Sequence, residues 1–257
     1  GFNIEYTSTL QDKVFQAFLD GRSPIAPSAR DFTQEEISQF TAKWGYAPTR
    51  VAMAMDALVV LVHKSNPIKE IKMEQIDALY SVDRPLGYPK DIATWGDLGL
   101  SAGNWPTRPI AYYGHPLGSG TLGFFRDLFP GKAKPSIHRG ADILAMIEEL
   151  SVNQAAIGYG SVSQTYSSLR MIPVVPAGGK SAVEPTPANI ADGSYPMGRI
   201  LNVYVNKAPG KPLDPTILGF LRFTLSHDGQ KLVPLAGFVS LPDDIAAINL
   251  RRLENAH

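Results

Sequence analysis

Apolar residues recur at three- and four-residue intervals in some stretches of this chain and run continuously in others, and the two patterns alternate. Residues 2–7 alternate weakly, as a strand does. Between Leu10 and Leu19, Val14, Phe15, Phe18 and Leu19 share one helical face, and Asp20-Gly21 stops the helix. Ser23–Ala29 is a short apolar run, and Thr33-Gln-Glu-Glu36 has the spacing of a capping box opening a short helix. Val51–His63 is a long apolar run, interrupted by Asp56 and followed by Asn66-Pro67, which predicts a buried strand with a turn at its end. Ile71–Tyr80 predicts a helix with Ile71, Ile76, Leu79 and Tyr80 on its apolar side. A loop rich in Pro, Gly and Trp follows over residues 84–107, then a short strand at Pro109–Tyr113. Ile137–Leu150 reads as an amphipathic helix, Ala155–Tyr159 and Met171–Val175 as buried strands, and Arg199–Asn206 as a strand beyond the Gly/Pro-rich segment 176–198. Pro215–Leu225 and Gly229–Leu235 complete a helical C-terminal region. Strands alternate with helices throughout, which makes the class α/β.

Composition narrows the function. At 257 residues, 44% hydrophobic and 19% charged, the chain has the make-up of a globular protein with room for one large domain or two small ones. Lys plus Arg and Asp plus Glu number 24 each and no long basic run occurs, which argues against nucleic-acid binding. No run of eighteen apolar residues spans a membrane, and no secretory signal is visible ahead of Gly-Phe-Asn-Ile. Cysteine is absent, which excludes disulfides, thiolate catalysis and Cys-type zinc sites. The five histidines, at 63, 115, 138, 227 and 257, show no ligand pairing at helical spacing, so no metal is expected.

The chemistry concentrates in Gly114–Phe124. There Ser119-Gly120-Thr121 runs straight into an apolar pattern of helical period at Leu122, Phe125, Leu128 and Phe129. A helix start carries unpaired N–H groups and the positive end of the helix dipole, and two hydroxyls and a glycine there form a ready anion site. An ordinary N-cap would use the same residues. Other motifs carry less. Gly178-Gly179-Lys180-Ser181 lacks the first glycine and the following helix of a phosphate-binding P-loop. Leu117 and Thr121 stand where a nucleophile elbow around Ser119 needs glycines, and His115 has no indicated acid partner, so no catalytic residue is assigned. Asp56 reads as a hydrogen-bonded hinge carboxylate. Arg30 follows an apolar strand, the end at which open α/β sheets bind ligands, or else pairs with Asp31 or Glu35. Trp95 and Trp105 pack the loop that they flank.

Six segments, in order along nearly the whole chain, resemble the phosphate-binding proteins of bacterial ABC importers, of the two-lobed periplasmic binding protein superfamily. They are Ser23-Pro-Ile-Ala-Pro-Ser-Ala-Arg30, Val51-Ala-Met-Ala-Met-Asp-Ala-Leu-Val-Val60, Thr94-Trp-Gly-Asp-Leu-Gly99, Gly118-Ser-Gly-Thr121, Ala156-Ile-Gly-Tyr159 and Gly193-Ser-Tyr-Pro-Met-Gly-Arg199. The resemblance implies an α/β fold of two lobes, each a mixed sheet flanked by helices, with two hinge crossings. Residues 1–62 plus 200–257 would form the first lobe and 63–199 the second. It implies a non-enzymatic, monomeric solute-binding protein of the periplasm or cell exterior, which captures phosphate or a similar tetrahedral oxyanion for the membrane subunits of an ABC importer, with no cofactor.

The implied site joins Ser119, Gly120 and Thr121 from the second lobe to Arg30, Ser28 and Ser8 from the first. The family's arginine four residues before the motif serine is His115 here, a donor that would act more strongly below about pH 6.5. An imidazole cannot reproduce the bidentate fork of a guanidinium. In the first lobe the hydroxyl-rich loop is altered: Thr7-Ser8-Thr9 could serve, but the positions nearest by spacing read Leu10-Gln11-Asp12-Lys13. The family's first strand and loop have no counterpart ahead of Gly1 in this sequence. These departures leave a second reading open, a divergent binding-protein scaffold that serves another ligand or an adhesion or signalling role.

Overall fold

A computed structural model describes residues 10–140, 142–164 and 166–254, so the strand expected at residues 2–7 and the site residue Ser8 lie outside the described residues. Helix α1 (Gln11–Leu19) buries Phe15 and Phe18, as its spacing predicts, and ends where Asp20 caps it. Strand β1 (Ile25–Ser28) leads to helix α2 (Gln34–Trp44), whose capping box is complete: Thr33 Oγ1 accepts from Glu36 N and the Glu36 carboxylate accepts from Thr33 N. Strand β2 (Thr49–His63) is buried along most of its fifteen residues. Next come the short strand β3 (Ile71–Lys72), helix α3 (Met73–Tyr80), a 3-10 turn at Trp95–Leu98, strand β4 (Ala111–Gly114) and helix α4 (Gly120–Leu128).

The helix expected over Ile137–Leu150 divides here. His138–Arg139 form strand β5, and helix α5 (Ile143–Val152) starts only after Gly140, where Asp142 caps it by accepting from Ala145 N. The chain continues through strands β6 (Ala156–Ser161), β7 (Leu169–Ile172) and β8 (Val174–Val175), helix α6 (Pro187–Ala191), strand β9 (Gly198–Val205), helices α7 (Pro215–Leu225) and α8 (His227–Leu232), and a 3-10 turn at Val233–Ala236. Helix α9 (Asp243–Glu254) was not expected from the periodicity. Its ends do carry the signal of a helix, with Asp243 and Asp244 in the first turn and Arg251 and Arg252 in the last, opposing the macrodipole.

Contacts divide the chain into two compact α/β units, and four crossings join them. The first comprises residues 1–56, 118–120 and 199–257, the second 57–117 and 121–198. In the first unit β9 lies between β1 and β2, antiparallel to β1 from Ile25↔Val205 to Ser28↔Asn202. An aromatic core fills one side: Phe18 stacks on Phe40 at 4.9 Å, Phe32 stacks on Tyr204 at 3.7 Å, and the Tyr204 hydroxyl accepts from Phe32 N. Each such ring, fully buried, contributes about 1.5–3 kcal/mol. A second, aliphatic core joins Val51, Met53, Val203 and Val205 to Leu221, Leu225 and Leu241.

In the second unit the later half of β2 pairs antiparallel with β6 and β7, β6 pairs parallel with β4, and β4 pairs parallel with β5. Trp95 is wholly buried, donates Nε1–H to Ala155 O, and meets Trp105 edge-on at 5.7 Å, so the loop is packed in place as expected.

Asp56 and Arg199 are the first unit's residues at two of the crossings, and they form a buried ion pair. Arg199 Nε and Nη2 both donate to Asp56 Oδ2, at 2.8 and 2.6 Å. A carboxylate inside an apolar strand needs such a partner, and the hinge reading of Asp56 rests on this pair.

Candidate oxyanion site

Strand β4 ends at Gly114 with its residues Tyr112 and Tyr113 buried, and the chain then turns through His115-Pro116-Leu117 to the loop Gly118-Ser119 and the start of α4. Gly118 has φ +79°, a left-handed conformation that side-chain-bearing residues rarely adopt, so the loop requires glycine there. Gly118 O accepts from Gln11 N at the start of α1, and the Gln11 amide lies beside Gly120. Residues 118–120 therefore pack within the first unit, while Thr121 belongs to the second. Ser119 and Thr121 are half-buried and flank the first residue of a nine-residue helix, where N–H groups and the dipole favour negative charge.

The other expected residues are placed less simply. Ser28 is buried and donates its hydroxyl to Arg30 O at 2.6 Å. Arg30 makes a two-pronged bond to Glu36, Nη1 to Oε2 at 2.7 Å and Nη2 to Oε1 at 2.8 Å, and also donates to Asp31 O. Its partner is therefore Glu36, one residue along from the Glu35 that the sequence suggests. Burial pushes the Glu36 carboxyl upward, but the hydrogen bonds from Arg30 and Thr33 N outweigh it and hold the group below its usual value.

His115 is 2% exposed, with its ring stacked on Tyr159 at 5.3 Å. Nε2 lies 3.2 Å from Tyr159 O, an acceptor only, so the Nε2 proton is directed into the unit. Tyr159 itself is buried, which pushes its hydroxyl up, an effect that His115 N and Arg139 partly offset.

Two side chains near the loop carry features that periodicity does not reveal. Gln11 opens α1, whose N-cap residue Leu10 offers no side-chain cap; Gln11 is 7% exposed and its Nε2 has no hydrogen-bond partner among the described residues. Arg139 donates Nη1–H to His115 O at 2.7 Å. Its signal in the sequence is masked by the apparent helix over Ile137–Leu150. Among the described residues no group of three His, Asp or Glu is placed to hold a metal ion, and no helix is long and apolar enough to cross a membrane.

Two α/β units joined by four crossings, with a loop of glycine and hydroxyl residues at a helix start, are the architecture expected of a solute-binding protein. The PBP superfamily domain matches residues 1–228, and the chain belongs to that superfamily. More particularly, it is 36% identical over 253 residues to the phosphate-binding protein PstS of Pseudomonas aeruginosa, covering 98% of this chain and 78% of that protein. PstS of Staphylococcus saprophyticus is 29% identical over 232 residues, covering 89% and 68%. Among solved structures, a substrate-binding protein of a phosphate ABC transporter from Clostridium perfringens, described with bound phosphate, superposes with a TM-score of 0.72 at 25% identity, over 90% of this chain and 84% of that one. A phosphate transport receptor from Vibrio cholerae shares the fold, with a TM-score of 0.68 at 21% identity over 90% and 85% of the two chains.

Proposed function

We propose that this protein captures inorganic phosphate, or a closely similar tetrahedral oxyanion, for an ABC importer at the cell envelope. The observation that carries the reading is the Gly118–Thr121 turn at the head of α4, in a chain 36% identical to a PstS protein. Ser119 and Thr121 donate their hydroxyls and the first N–H groups of α4 supply the dipole end, which stabilises a dianion without a bound cation. Gly120 lets the ligand approach the backbone. Ser28 and Arg30 serve the site from the first unit, and His115 serves it from the second through its main chain. The protein acts as a monomer, with residues 1–62 plus 200–257 and 63–199 as the lobes that move. Binding shifts the population of conformers rather than driving a reaction, so no phosphate ester is turned over.

The test is the double variant Ser119→Ala/Thr121→Ala. Two hydroxyl bonds to a charged ligand together account for about a hundredfold or more in affinity. Full phosphate affinity in the double variant would remove the site from this loop.

The scaffold reading, with another ligand in place of phosphate, draws on a specific observation: the Arg30 charge is matched by Glu36 and the His115 ring donor is turned onto Tyr159. A panel of phosphate, sulfate and small organic anions separates the two. Binding of an organic anion with no response to phosphate favours the scaffold.

A further inference from the structure

A phosphate dianion held by neutral donors alone leaves its charge to dipoles, and a nearby guanidinium adds the strongest kind of hydrogen bond available to it. In the second unit the β4–β5 pairing sets one beside the end of β4, from which the chain turns toward the loop. Gly114 at the end of β4 stands opposite Arg139 in parallel register. The approach is close: a Cβ on Gly114 would sit 3.1 Å from Arg139 Nη1 and 3.4 Å from the Tyr159 hydroxyl. Arg139 Nη1 donates to the carbonyl of His115, the next residue along, and the same side chain lines a cavity of about 350 Å³ with Tyr80, Phe125 and Tyr159, whose wall reaches α4 at Leu122, the residue after Thr121. The oxygens that the guanidinium meets are neutral, namely the His115 carbonyl and the Tyr159 hydroxyl, and among the described residues no carboxylate is within ion-pairing distance of it. Among the described residues its positive charge therefore has no carboxylate partner, and a guanidinium carries five N–H donors, more than these two oxygens engage.

We propose that Arg139, reaching across from β5, is the cationic ligand of the oxyanion and sets the preference of the site for a doubly charged ligand. The proposal rests on the phosphate reading above. His115 O holds the near edge of the guanidinium, and the remaining N–H groups face the ligand. A cation on a neighbouring strand then supplies the charge that position 115 does not, while the His115 ring packs on Tyr159. A dianion gains more from it than a monoanion of the same shape.

Calorimetric titration with inorganic phosphate of wild type, Arg139→Gln, Arg139→Lys and Arg126→Gln tests this. Loss of one charge-assisted contact weakens binding on the order of tenfold to a hundredfold in Arg139→Gln. Its affinity also depends less on ionic strength, a change that a purely structural role would not produce. Arg139→Lys keeps the charge without the fork and falls between. Arg126→Gln, an exposed position on the same cavity wall, stays within about twofold of wild type. The double variant His115→Arg/Arg139→Gln regains affinity, because it returns a guanidinium to the end of β4. Wild-type affinity and salt dependence in Arg139→Gln overturn the proposal while leaving the phosphate reading intact. Should Arg139→Gln fail to fold, wild-type affinity in Arg139→Lys together with no gain in the folded double variant overturns it equally. A wild type that ignores phosphate refutes the phosphate reading itself.

Discussion

Arg30 and Arg139 occupy comparable places, each close to the end of a short strand, one in each unit, yet their surroundings differ in sign. Arg30 forks onto Glu36, and the pair is nearly buried, with side-chain exposures of 11% and 12%. Its charge is spent locally: the same carboxylate accepts from Thr33 N, so the pair pins the start of α2. Among the described residues Arg139 meets neutral oxygens, His115 O and the Tyr159 hydroxyl, and no carboxylate. The lesson is that a cation at a strand end becomes a ligand only when the fold leaves its charge unmatched. A guanidinium in the right place on a sheet is not sufficient evidence of a site.

The comparison can be broken most forcefully through the extreme case of a matched cation, Arg199. Asp56→Ala strands its guanidinium at 7% exposure, and urea unfolding should show a loss of about 3–5 kcal/mol. A loss below about 1 kcal/mol would mean that the pair does not hold the two crossings. Arg30→Gln comes next, with about 1–3 kcal/mol lost from stability and a smaller loss of phosphate affinity than in Arg139→Gln. If Arg30→Gln weakens binding as much as Arg139→Gln does, the distinction between the two arginines collapses. Thr33→Ala removes half of the capping box and costs about 1 kcal/mol in the same assay.

The smallest effect is on pH dependence. The folded Glu36 pKa lies below its unfolded value, so its contribution is complete above the ordinary carboxyl range near 4.5 and fades as pH falls through the lowered folded value. Stability of wild type relative to Glu36→Gln should narrow between neutral pH and about pH 3.5. A constant difference across that range would show that Glu36 is not ionised in its pair.

Much of the fold was legible because local and tertiary preferences agree. Phe15 and Phe18 on α1, the Thr33–Glu36 capping box and the unbroken apolar run of β2 each announce their element and then bury as announced. The agreement fails where pairing between distant segments decides. Ile137-His-Arg139 fits the helical period of the residues that follow, but hydrogen bonding to β4 draws His138 and Arg139 into a strand and Gly140 separates them from α5. That misreading hides Arg139, whose place beside Gly114 depends on strands 25 positions apart in the chain. Helix α9 was missed for a different reason, since its apolar face is weak and only its terminal charges mark it. The loop at 118–121 was legible as a helix start, because its glycine and hydroxyl residues run straight into an apolar pattern of helical period. Which arginine is matched was not, because no local pattern records that Arg30 finds Glu36.

Titration calorimetry of the wild-type protein with inorganic phosphate decides whether a phosphate dianion is the ligand of the Gly118–Thr121 loop. The account predicts saturable binding to one site per chain, competed by no more than weak binding of small organic anions and accompanied by a rise in melting temperature with phosphate concentration. A well-folded protein that gives neither heat nor a melting shift with phosphate at millimolar concentration would contradict it.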